Sequence, residues 1–240
     1  MSKIEWHDAQ VLKIVELTDN IRHITLRAHV SDFNFKPGQF VTFDLPVGEK
    51  PADRWRSYSI ASAPDGQIFE LVIMGLKGGR ASEYFFYEVK ENDSVKFRGP
   101  EGKFILPEKI EKELCFICTG TGIAPFRSML NHLTEKNPQH KKISLFFGTR
   151  HLKDVLFREE FESLQKKFRQ FNYHFVLSKE DSQEYSGTRG HVHQLYEKEF
   201  ADGRPADFYL CGWRGMIKEA EHRIMKLGYS RKDIHHEIYD

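Results

Sequence analysis

The stretch Leu114-Cys115-Phe116-Ile117-Cys118, followed by Thr119-Gly120-Thr121-Gly122-Ile123-Ala124-Pro125, marks a change in the pattern of the chain. The apolar run predicts a buried strand, and the two glycines predict a tight loop. Pro125 suits the first turn of a helix, because its missing N–H needs no partner there. Such a strand, loop and helix can hold a pyrophosphate or can form a simple turn. Pro125 stands where the dinucleotide pattern G-x-G-x-x-G has its third glycine.

Strands and helices alternate in the part of the chain that surrounds this unit, residues 108–240. Further strands are predicted at 143–147, 173–177, 208–211 and 234–239. Asp154 is predicted to cap a helix that carries Phe157, Phe161 and Leu164. Five strands with helices between them predict a parallel, doubly wound sheet. Its ligands are expected at the carboxyl ends of the strands, which are residues 119–122, 148–150, 178–179 and 211–212.

The preceding part, residues 1–107, is typical of an antiparallel β domain. Short strands are predicted at 11–17, 21–26, 41–45, 56–60, 69–74 and 95–104. Pro37 and Gly38 fit the central positions of a type II turn. Residues 83–87 are predicted to be helical. Six short strands with one helix predict a small barrel.

Two short segments of this β domain carry side chains or backbone suited to a ligand. Arg56-Ser57-Tyr58-Ser59 places a cation and an aromatic ring on one face of a strand and two hydroxyls on the other. A flat ring could pack on Tyr58 and an anion could pair with Arg56, or the segment could be an ordinary edge strand. Gly78-Gly79-Arg80-Ala81-Ser82 could bring backbone N–H groups to a phosphate, with Ser82 as helix cap or phosphate ligand, or could be a flexible turn.

Composition excludes several classes of function. The 36 basic and 35 acidic residues nearly cancel, so no affinity for nucleic acid or membrane is expected. There is no apolar run of about 18 residues and no signal-peptide pattern at the N-terminus. Three cysteines, an odd number, favour a reducing cytoplasm over a disulfide scaffold.

A metal centre is not expected from the cysteines or histidines. Cys115 and Cys118 would point to opposite faces of a buried strand, so two core thiols are favoured over a shared metal or a redox disulfide. No C-x4-C-x2-C run suggests an iron–sulfur cluster. His191 and His193 lack a third ligand at a recognisable spacing.

Five stretches in order resemble the ferredoxin–NADP reductase superfamily of FAD-dependent NAD(P)H reductases. The similar segments are Arg56-Ser57-Tyr58-Ser59, Gly78-Gly79-Arg80-Ala81-Ser82, Gly99-Pro100-Glu101-Gly102-Lys103-Phe104, residues 119–125, and Tyr209-Leu210-Cys211-Gly212-Trp213-Arg214-Gly215-Met216. The resemblance covers nearly the whole chain. It implies a six-stranded antiparallel FAD-binding barrel, residues 1–107, followed by a five-stranded parallel NAD(P)-binding domain, residues 108–240.

The resemblance also implies roles for individual residues. Arg56 and the backbone of residues 78–82 would neutralise the FAD pyrophosphate, Tyr58 would pack on the flavin, and Ser59 would donate a hydrogen bond near flavin N5. The other residues implied in FAD binding are Ser57, Val72, Met74, Gly78, Gly79, Arg80, Ala81 and Ser82. Cys211 and Glu237 would border the nicotinamide pocket, and Tyr239 would cover the flavin until nicotinamide displaces it. One residue, Asp240, follows Tyr239, which departs from the plant-type reductases.

The nucleotide is expected on the second domain. The residues implied in binding it are Thr119, Gly120, Thr121, Gly122, Arg150, Ser178, Lys179, Cys211, Gly212 and Met216. Ser178 and Lys179 stand where the family reads the ribose 2′-phosphate with a Ser-Arg pair, with Arg150 and Arg189 as possible helpers. Glu180 and Asp181 act against a phosphate, so we expect NADPH as the preferred nucleotide and NADH as a possible one.

The leading hypothesis is a monomeric, stand-alone reductase in the cytoplasm. It would take hydride from NAD(P)H and pass electrons to a ferredoxin, a flavodoxin or an oxygenase component. One alternative is a free-flavin reductase, which would have little use for the loop at residues 78–82. The other is an electron-relay subunit of a larger complex.

Overall fold

The structure is a computed structural model that describes residues 5–136 and 141–239. The chain forms two compact units. The first unit contains the residues up to Leu106 together with Ala124–His132. The second contains Pro107–Ile123 and the residues from Leu133 onward. The first turns of one helix therefore belong to the first unit, although they follow a strand of the second.

The first unit is built on a six-stranded antiparallel sheet. Its strands are β1 (His7–Thr18), β2 (Ile21–Ala28), β3 (Phe40–Asp44), β4 (Trp55–Ser59), β5 (Ile68–Met74) and β6 (Ser94–Glu101), in the order β4-β3-β6-β1-β2-β5. Just beyond β4, an antiparallel bridge joins Ile60 to Leu71 of β5, and the Ala61 N–H donates to the Glu70 carbonyl at 2.7 Å. These contacts join the two outer strands, so the sheet closes as a barrel, as predicted.

Phenylalanines fill the interior of the barrel. Phe33, Phe43, Phe69 and Phe97 are almost fully buried, and their ring centroids lie 5.0–6.3 Å apart. Offset and edge-to-face contacts of this kind add to the free energy gained by burying the rings. The alternation that predicted the strands thus reflects a real apolar interior.

The helix predicted at residues 83–87 differs in the structure. A short helix α2 (Arg80–Glu83) continues directly into a π-helix, Tyr84–Glu88. The Arg22 guanidinium of β2 donates to the carbonyls of Phe85 and Phe86 at 3.1 and 2.7 Å, which satisfies backbone groups at this turn. Ser82 is not the helix cap, because α2 begins two residues earlier and the Ser82 hydroxyl lies inside the loop.

The second unit is a five-stranded parallel sheet. Its strands are β7 (Glu113–Thr119), β8 (Ile143–Thr149), β9 (Phe171–Leu177), β10 (Ala206–Trp213) and β11 (Ile234–Tyr239), in the order β11-β10-β7-β8-β9. The helices are α3 (Ala124–Lys136), α4 (Arg158–Lys167), α5 (His193–Glu199) and α6 (Arg214–Lys226). The remaining short helix, α1 (Pro51–Arg54), lies in the first unit. The parallel sheet is confirmed, and β11 has the predicted bounds.

The predicted cap at Asp154 is wrong. Asp154 ends a 3-10 turn, Leu152–Asp154, and its carboxylate accepts from the His151 N–H at 3.3 Å. Helix α4 begins four residues later, after Phe157, whose φ is +52° and which makes no side-chain cap. The extra turn between Asp154 and the helix could not be seen in the spacing of Phe157, Phe161 and Leu164.

The cysteines and His193 are core residues. Cys115, Cys118 and Cys211 are fully buried as thiols, and burial raises the pKa of each well above its usual value. His193 Nδ1 lies 2.8 Å from the Tyr196 hydroxyl, and its Nε2 lies 3.4 Å from a Glu219 carboxylate oxygen. Within residues 5–136 and 141–239, no cluster of three or more His, Cys, Asp or Glu residues is arranged to hold a metal ion.

The helices of the described part of the chain are also too short or too polar to cross a membrane.

Glu70 of β5 is the centre of a largely buried charge cluster. Its side chain is 23% exposed, and its Oε2 lies 2.5 Å from Arg127 Nη1 and 3.2 Å from His23 Nε2. Burial alone would raise the pKa of Glu70, but the hydrogen bond from His23 and the charge of Arg127 outweigh it and lower the pKa to about 2. The carboxylate therefore stays ionised in the folded protein.

We predict that Glu70 stabilises the fold above its unfolded pKa and that this contribution disappears in acid. The pKa falls from 4.5 to about 2 on folding, which corresponds to at most about 3 kcal/mol of unfolding free energy at neutral pH. This contribution is lost as the pH falls from 4.5 towards 2. Chemical denaturation should therefore show a large deficit for Glu70→Gln near neutral pH and a much smaller one in acid.

The matched control is Glu111→Gln, which removes a carboxylate that is 68% exposed and paired with Lys109, itself 84% exposed. Exposed ion pairs contribute little, so this variant should unfold like the wild type at both pH values. A Glu70→Gln deficit that is the same in acid and at neutral pH would show that the cluster does not depress the pKa of Glu70.

Candidate functional site

Tyr58 is held edge-on by two phenylalanines of the barrel. Its ring centroid lies 5.5 Å from that of Phe85, in a T-shaped contact, and 6.0 Å from that of Phe43. Burial raises the pKa of Tyr58 to about 12, although the charge of Arg56 acts in the opposite direction. Ser59 is buried, whereas Ser57 is exposed, with its hydroxyl 2.9 Å from that of Thr42. The Tyr58 ring is thus fixed before any ligand packs on it.

Two arginines of the predicted pyrophosphate site meet at helix α1. Arg56 Nη1 donates to the carbonyls of Ala52 and Trp55 at 2.9 and 2.7 Å. Arg80 Nη2 donates to Asp53 Oδ1 at 2.7 Å, and the Arg80 side chain is 57% exposed. The structure therefore brings Arg56 and Arg80 to the same four-residue helix, although 24 positions separate them in the sequence.

The glycine loop at residues 78–82 is tightly closed. Gly78 has φ of +79°, and a Cβ on Gly79 would lie 2.7 Å from the Ser82 hydroxyl oxygen. That hydroxyl accepts from the Leu76 N–H at 2.9 Å and donates within the loop to the Gly79 carbonyl. Only glycine suits both positions. Ser82 is therefore part of the loop framework, and the buried Ala81 lies beside it.

Two other residues implied in FAD binding, Val72 and Met74, are on β5. They lie on the same side of the strand, two residues apart, with Val72 buried and Met74 37% exposed. The side chain of Met74 is thus available to a ligand, whereas Val72 contributes packing.

In the second unit, the end of β7 and the turn that follows it touch the last residues of β10. A Cβ on Gly122 would lie 2.4 Å from the Cys211 carbonyl oxygen. Gly212 has φ of +144°, and a Cβ there would lie 2.4 Å from the Thr119 hydroxyl oxygen. Real Cβ atoms do not approach this closely, so the contact between the turn and β10 depends on both glycines. Gly120, with φ of +55°, and the buried Thr121 complete the turn.

Cys211, Glu237 and Tyr239 lie together beside the turn that follows β7. Cys211 is opposite Glu237 of β11 and opposite Cys118 of β7 in the strand registers. Burial, with the charges of Glu237 and Cys118 in support, raises the pKa of the Cys211 thiol, while a hydrogen bond with Tyr239 acts against the rise. Met216 is buried at the start of α6. Asp240, whose effect on Tyr239 was open, lies outside the described residues.

The predicted phosphate-reading residues meet at the ends of β8 and β9. The Ser178 N–H donates to the Thr149 carbonyl at 2.9 Å, and the Lys179 N–H donates to the Arg150 carbonyl at 3.0 Å. Arg150, Ser178 and Lys179 are all exposed. Two cations therefore flank one exposed serine.

Glu180 and Arg189 serve the loop that follows Lys179. The Glu180 carboxylate accepts from the N–H groups of Leu152 and Ser182 at 2.8 and 3.1 Å, and these bonds lower its pKa. Arg189 donates to the carbonyls of Glu180 and Ser182 at 3.0 and 2.7 Å. The guanidinium of Arg189 is thus directed at backbone carbonyls, as part of the loop framework.

A cavity of about 600 Å³ next to this loop was missed from the sequence. Three of its lining residues are aromatic, Tyr173, Phe175 and Tyr185, and Arg158 lies 5.2 Å from the Phe175 ring centroid. The Tyr173 hydroxyl is buried without a hydrogen-bond partner among the residues that the structure describes. Aromatic residues at alternate positions of β9 were the available signal, but their neighbour Tyr185 comes from an irregular loop.

We predict that Gly122→Ala separates the turn after β7 from β10 and weakens nucleotide binding at least tenfold. The added Cβ would meet a backbone carbonyl, which cannot rotate away as a side chain can. The control is Gly66→Ala, where φ is +55° and nothing lies within 4 Å, so only about 1 kcal/mol of backbone strain is expected. Titration with NADP⁺ and chemical denaturation would measure both effects. Unchanged nucleotide affinity in Gly122→Ala would contradict the close contact.

Comparison with known proteins identifies both units. The family model of the oxidoreductase FAD-binding domain matches residues 8–105, and that of the oxidoreductase NAD-binding domain matches residues 116–222. A ferredoxin–NADP reductase B from Sorangium cellulosum is 33% identical over 252 residues, covering 100% of both chains. The anthranilate 1,2-dioxygenase electron transfer component of Acinetobacter baylyi is 29% identical over 86% of this chain, which spans only 59% of that relative.

Solved structures share the fold. A cytochrome P450 reductase from Amycolatopsis has a TM-score of 0.88 at 24% identity, covering 98% of this chain and 70% of its own. A ferredoxin–NADP⁺ reductase from Neisseria gonorrhoeae, with bound FAD and NADP, has a TM-score of 0.82 at 22% identity, covering 98% and 99%. The resemblance seen in the sequence is confirmed: this chain belongs to the ferredoxin–NADP reductase family and is a reductase flavoenzyme with FAD-binding and NAD-binding domains.

Proposed function

We propose that this protein takes hydride from NADPH onto bound FAD and passes electrons singly to a ferredoxin, a flavodoxin or an oxygenase component. The observation that carries the proposal is the similarity to a ferredoxin–NADP reductase over the full length of both chains. Relatives that are electron transfer components of dioxygenases and monooxygenases support an acceptor of this kind. FAD, when bound, supplies the chemistry, because a flavin can accept a hydride and release electrons one at a time.

The first unit fits FAD through its charges and its fixed aromatic ring. In our proposal the Arg56 and Arg80 guanidiniums, both at α1, balance the charge of the pyrophosphate, and the Gly78–Gly79 backbone lets it approach closely. Tyr58 offers a ring whose position is already set by Phe43 and Phe85. Ser59, which is buried, would donate a hydrogen bond near flavin N5.

The second unit fits the nicotinamide nucleotide. Gly122, in the turn after β7, and Gly212, in β10, would let the backbone contact a pyrophosphate. Because the pKa of Cys211 is raised, its fully buried thiol stays uncharged and would pack behind the nicotinamide as a small neutral group. Glu237 and Tyr239 lie next to it and would orient the ring. Hydride transfer needs such orientation more than it needs acid–base catalysis by side chains.

The exposed cations at the ends of β8 and β9 favour NADPH. Lys179 and Arg150 would pair with the ribose 2′-phosphate, and the aromatic cavity at Tyr185 would accept the adenine. Glu180 should repel a phosphate less than its sequence position suggests, because its carboxylate accepts hydrogen bonds from two backbone N–H groups.

Nucleotide choice gives a direct prediction. Lys179→Ala should weaken NADPH binding about tenfold, which corresponds to one lost charge-assisted contact, and should leave NADH binding nearly unchanged. The control is Lys166→Ala, an exposed lysine of α4. Dissociation constants of NADP⁺ and NAD⁺ would measure the effect. Equal losses for both nucleotides would show that Lys179 does not read the 2′-phosphate.

The proposed roles of Arg56 in binding FAD and of Ser59 in its reduction can be separated by mutation. Arg56→Ala should loosen FAD at least tenfold, because it removes a charge from the pyrophosphate site. Ser59→Ala should retain FAD and slow its reduction by NADPH about tenfold. Arg27→Ala and Ser94→Ala, exposed on β2 and β6, are the matched controls. Gel filtration measures retained FAD, and stopped-flow absorbance measures reduction.

The same measurements distinguish the alternatives. A free-flavin reductase would lose its flavin on gel filtration even as the wild type. An electron-relay subunit would be reduced only when a partner chain is present. A Ser59→Ala variant that is reduced as fast as the wild type would remove Ser59 from the proposed chemistry.

A further inference from the structure

We propose that Arg127, at the start of helix α3, is a positioning residue that sets the place of Ser59 by holding the chain just beyond it. The inference rests on the proposed function, in which Ser59 assists reduction of the flavin. It concerns contacts within the first unit, to which Ala124–His132 belongs.

The chain leaves the β3–β4 ladder one residue beyond Ser59, after the Ile60 N–H has donated to the Gln39 carbonyl at 3.0 Å. Ser59 is the last residue of β4 and is paired with Phe40 of β3. The next residues turn away towards β5, where Ile60 bridges Leu71 and the Ala61 N–H donates to the Glu70 carbonyl. At such a corner, the carbonyls of Ala61 and Ser62 need donors from outside the β3–β4 ladder.

Helix α3 supplies those donors. Arg127 Nη1 donates to the Ala61 carbonyl at 3.0 Å, and the Ser128 hydroxyl donates to the Ser62 carbonyl at 2.5 Å. The Arg127 side chain is only 12% exposed, so its bond to Ala61 is shielded from water. Two adjacent residues of one helix thus fix two adjacent carbonyls of the corner.

Glu70 fixes Arg127 in turn. The same Nη1 lies 2.5 Å from Glu70 Oε2, and the Glu70 N–H donates to the Ser62 hydroxyl at 3.1 Å. Glu70, Arg127 and the corner at Ala61–Ser62 therefore form a closed ring of hydrogen bonds.

Catalytic groups must be held within a fraction of an ångström, and a misplacement of about 1 Å can cost about 100-fold in rate. If the Ala61 carbonyl lost its bond to Arg127, Ser59, which precedes Ala61 by two residues, would move. No group that is proposed to bind FAD or nucleotide would be removed. Arg127→Met should therefore slow flavin reduction by NADPH about tenfold, while FAD retention and the NADP⁺ dissociation constant stay within about twofold.

A double-mutant cycle tests whether Arg127 acts through Ser59. The rate of flavin reduction is measured in the wild type, Arg127→Met, Ser59→Ala and the double variant. If Arg127 acts by placing the Ser59 hydroxyl, Arg127→Met should slow the Ser59→Ala protein by less than about twofold. Additive effects on the logarithm of the rate would overturn the proposal.

A second readout does not depend on flavin chemistry. Amide hydrogen exchange is measured on the FAD-free protein in peptides that cover residues 59–62. Arg127→Met should speed exchange there, because the corner loses its anchor. Arg223→Met is the matched control, since Arg223 also pairs with carboxylates, Glu197 and Glu219, but lies on α6 of the second unit. Unchanged exchange at residues 59–62 in Arg127→Met would contradict the proposal.

If Arg127→Met fails to fold or to hold FAD, Ser128→Ala carries the same cycle, because it removes only the bond to the Ser62 carbonyl. Additivity with Ser59→Ala there would equally overturn the inference. If NADPH does not reduce the wild type, the proposed function fails. If NADPH reduces the wild type and Arg127→Met equally fast, the function stands and only the positioning role fails.

Discussion

The arrangement of the second unit depends on how closely the backbone at Gly122 approaches the backbone of β10 at Cys211. The turn after β7 passes so close to β10 that a Cβ at position 122 would lie 2.4 Å from the Cys211 carbonyl oxygen, and a Cβ at position 212 would lie 2.4 Å from the Thr119 hydroxyl oxygen. Because β7, β10 and β11 are paired in a fixed parallel register, Thr119, Cys211, Glu237 and Tyr239 lie at one end of the sheet. The nucleotide site that we propose lies at this end of the sheet.

In the first unit, the chain beyond β4 is held in place by side chains and not by a close contact of backbones. Where β4 leaves β3, its carbonyls are satisfied by side chains of α3, and the arginine that does this is held by Glu70. The segment Arg56–Ser59 is thus held at Tyr58 by two phenylalanines. Beyond its end, the chain is held by the ion pair of Arg127 and Glu70. Both devices orient groups before a ligand arrives, which is what hydride transfer requires of a protein.

Local patterns in the sequence were sufficient for the strands and the glycine loops, because their periods and turn residues are local properties. The bounds of β11 were predicted, and the alternation of strands and helices predicted that the second sheet is parallel. Features that depend on distant partners were not predicted. The π-helix depends on Arg22, about 60 residues earlier, and the corner at Ala61 depends on Arg127. The cavity at Tyr185 depends on the path of an irregular loop.

Anaerobic reduction of the purified protein, with its FAD retained, tests the central claim most directly. One equivalent of NADPH or NADH is mixed with the oxidised protein in a stopped-flow instrument, and the flavin absorbance is followed before and after addition of a one-electron acceptor. We expect rapid bleaching in a single turnover, faster with NADPH, and full return of the oxidised spectrum with the acceptor. Flavin that stays oxidised with both nucleotides, in the absence of any partner chain, would contradict the account.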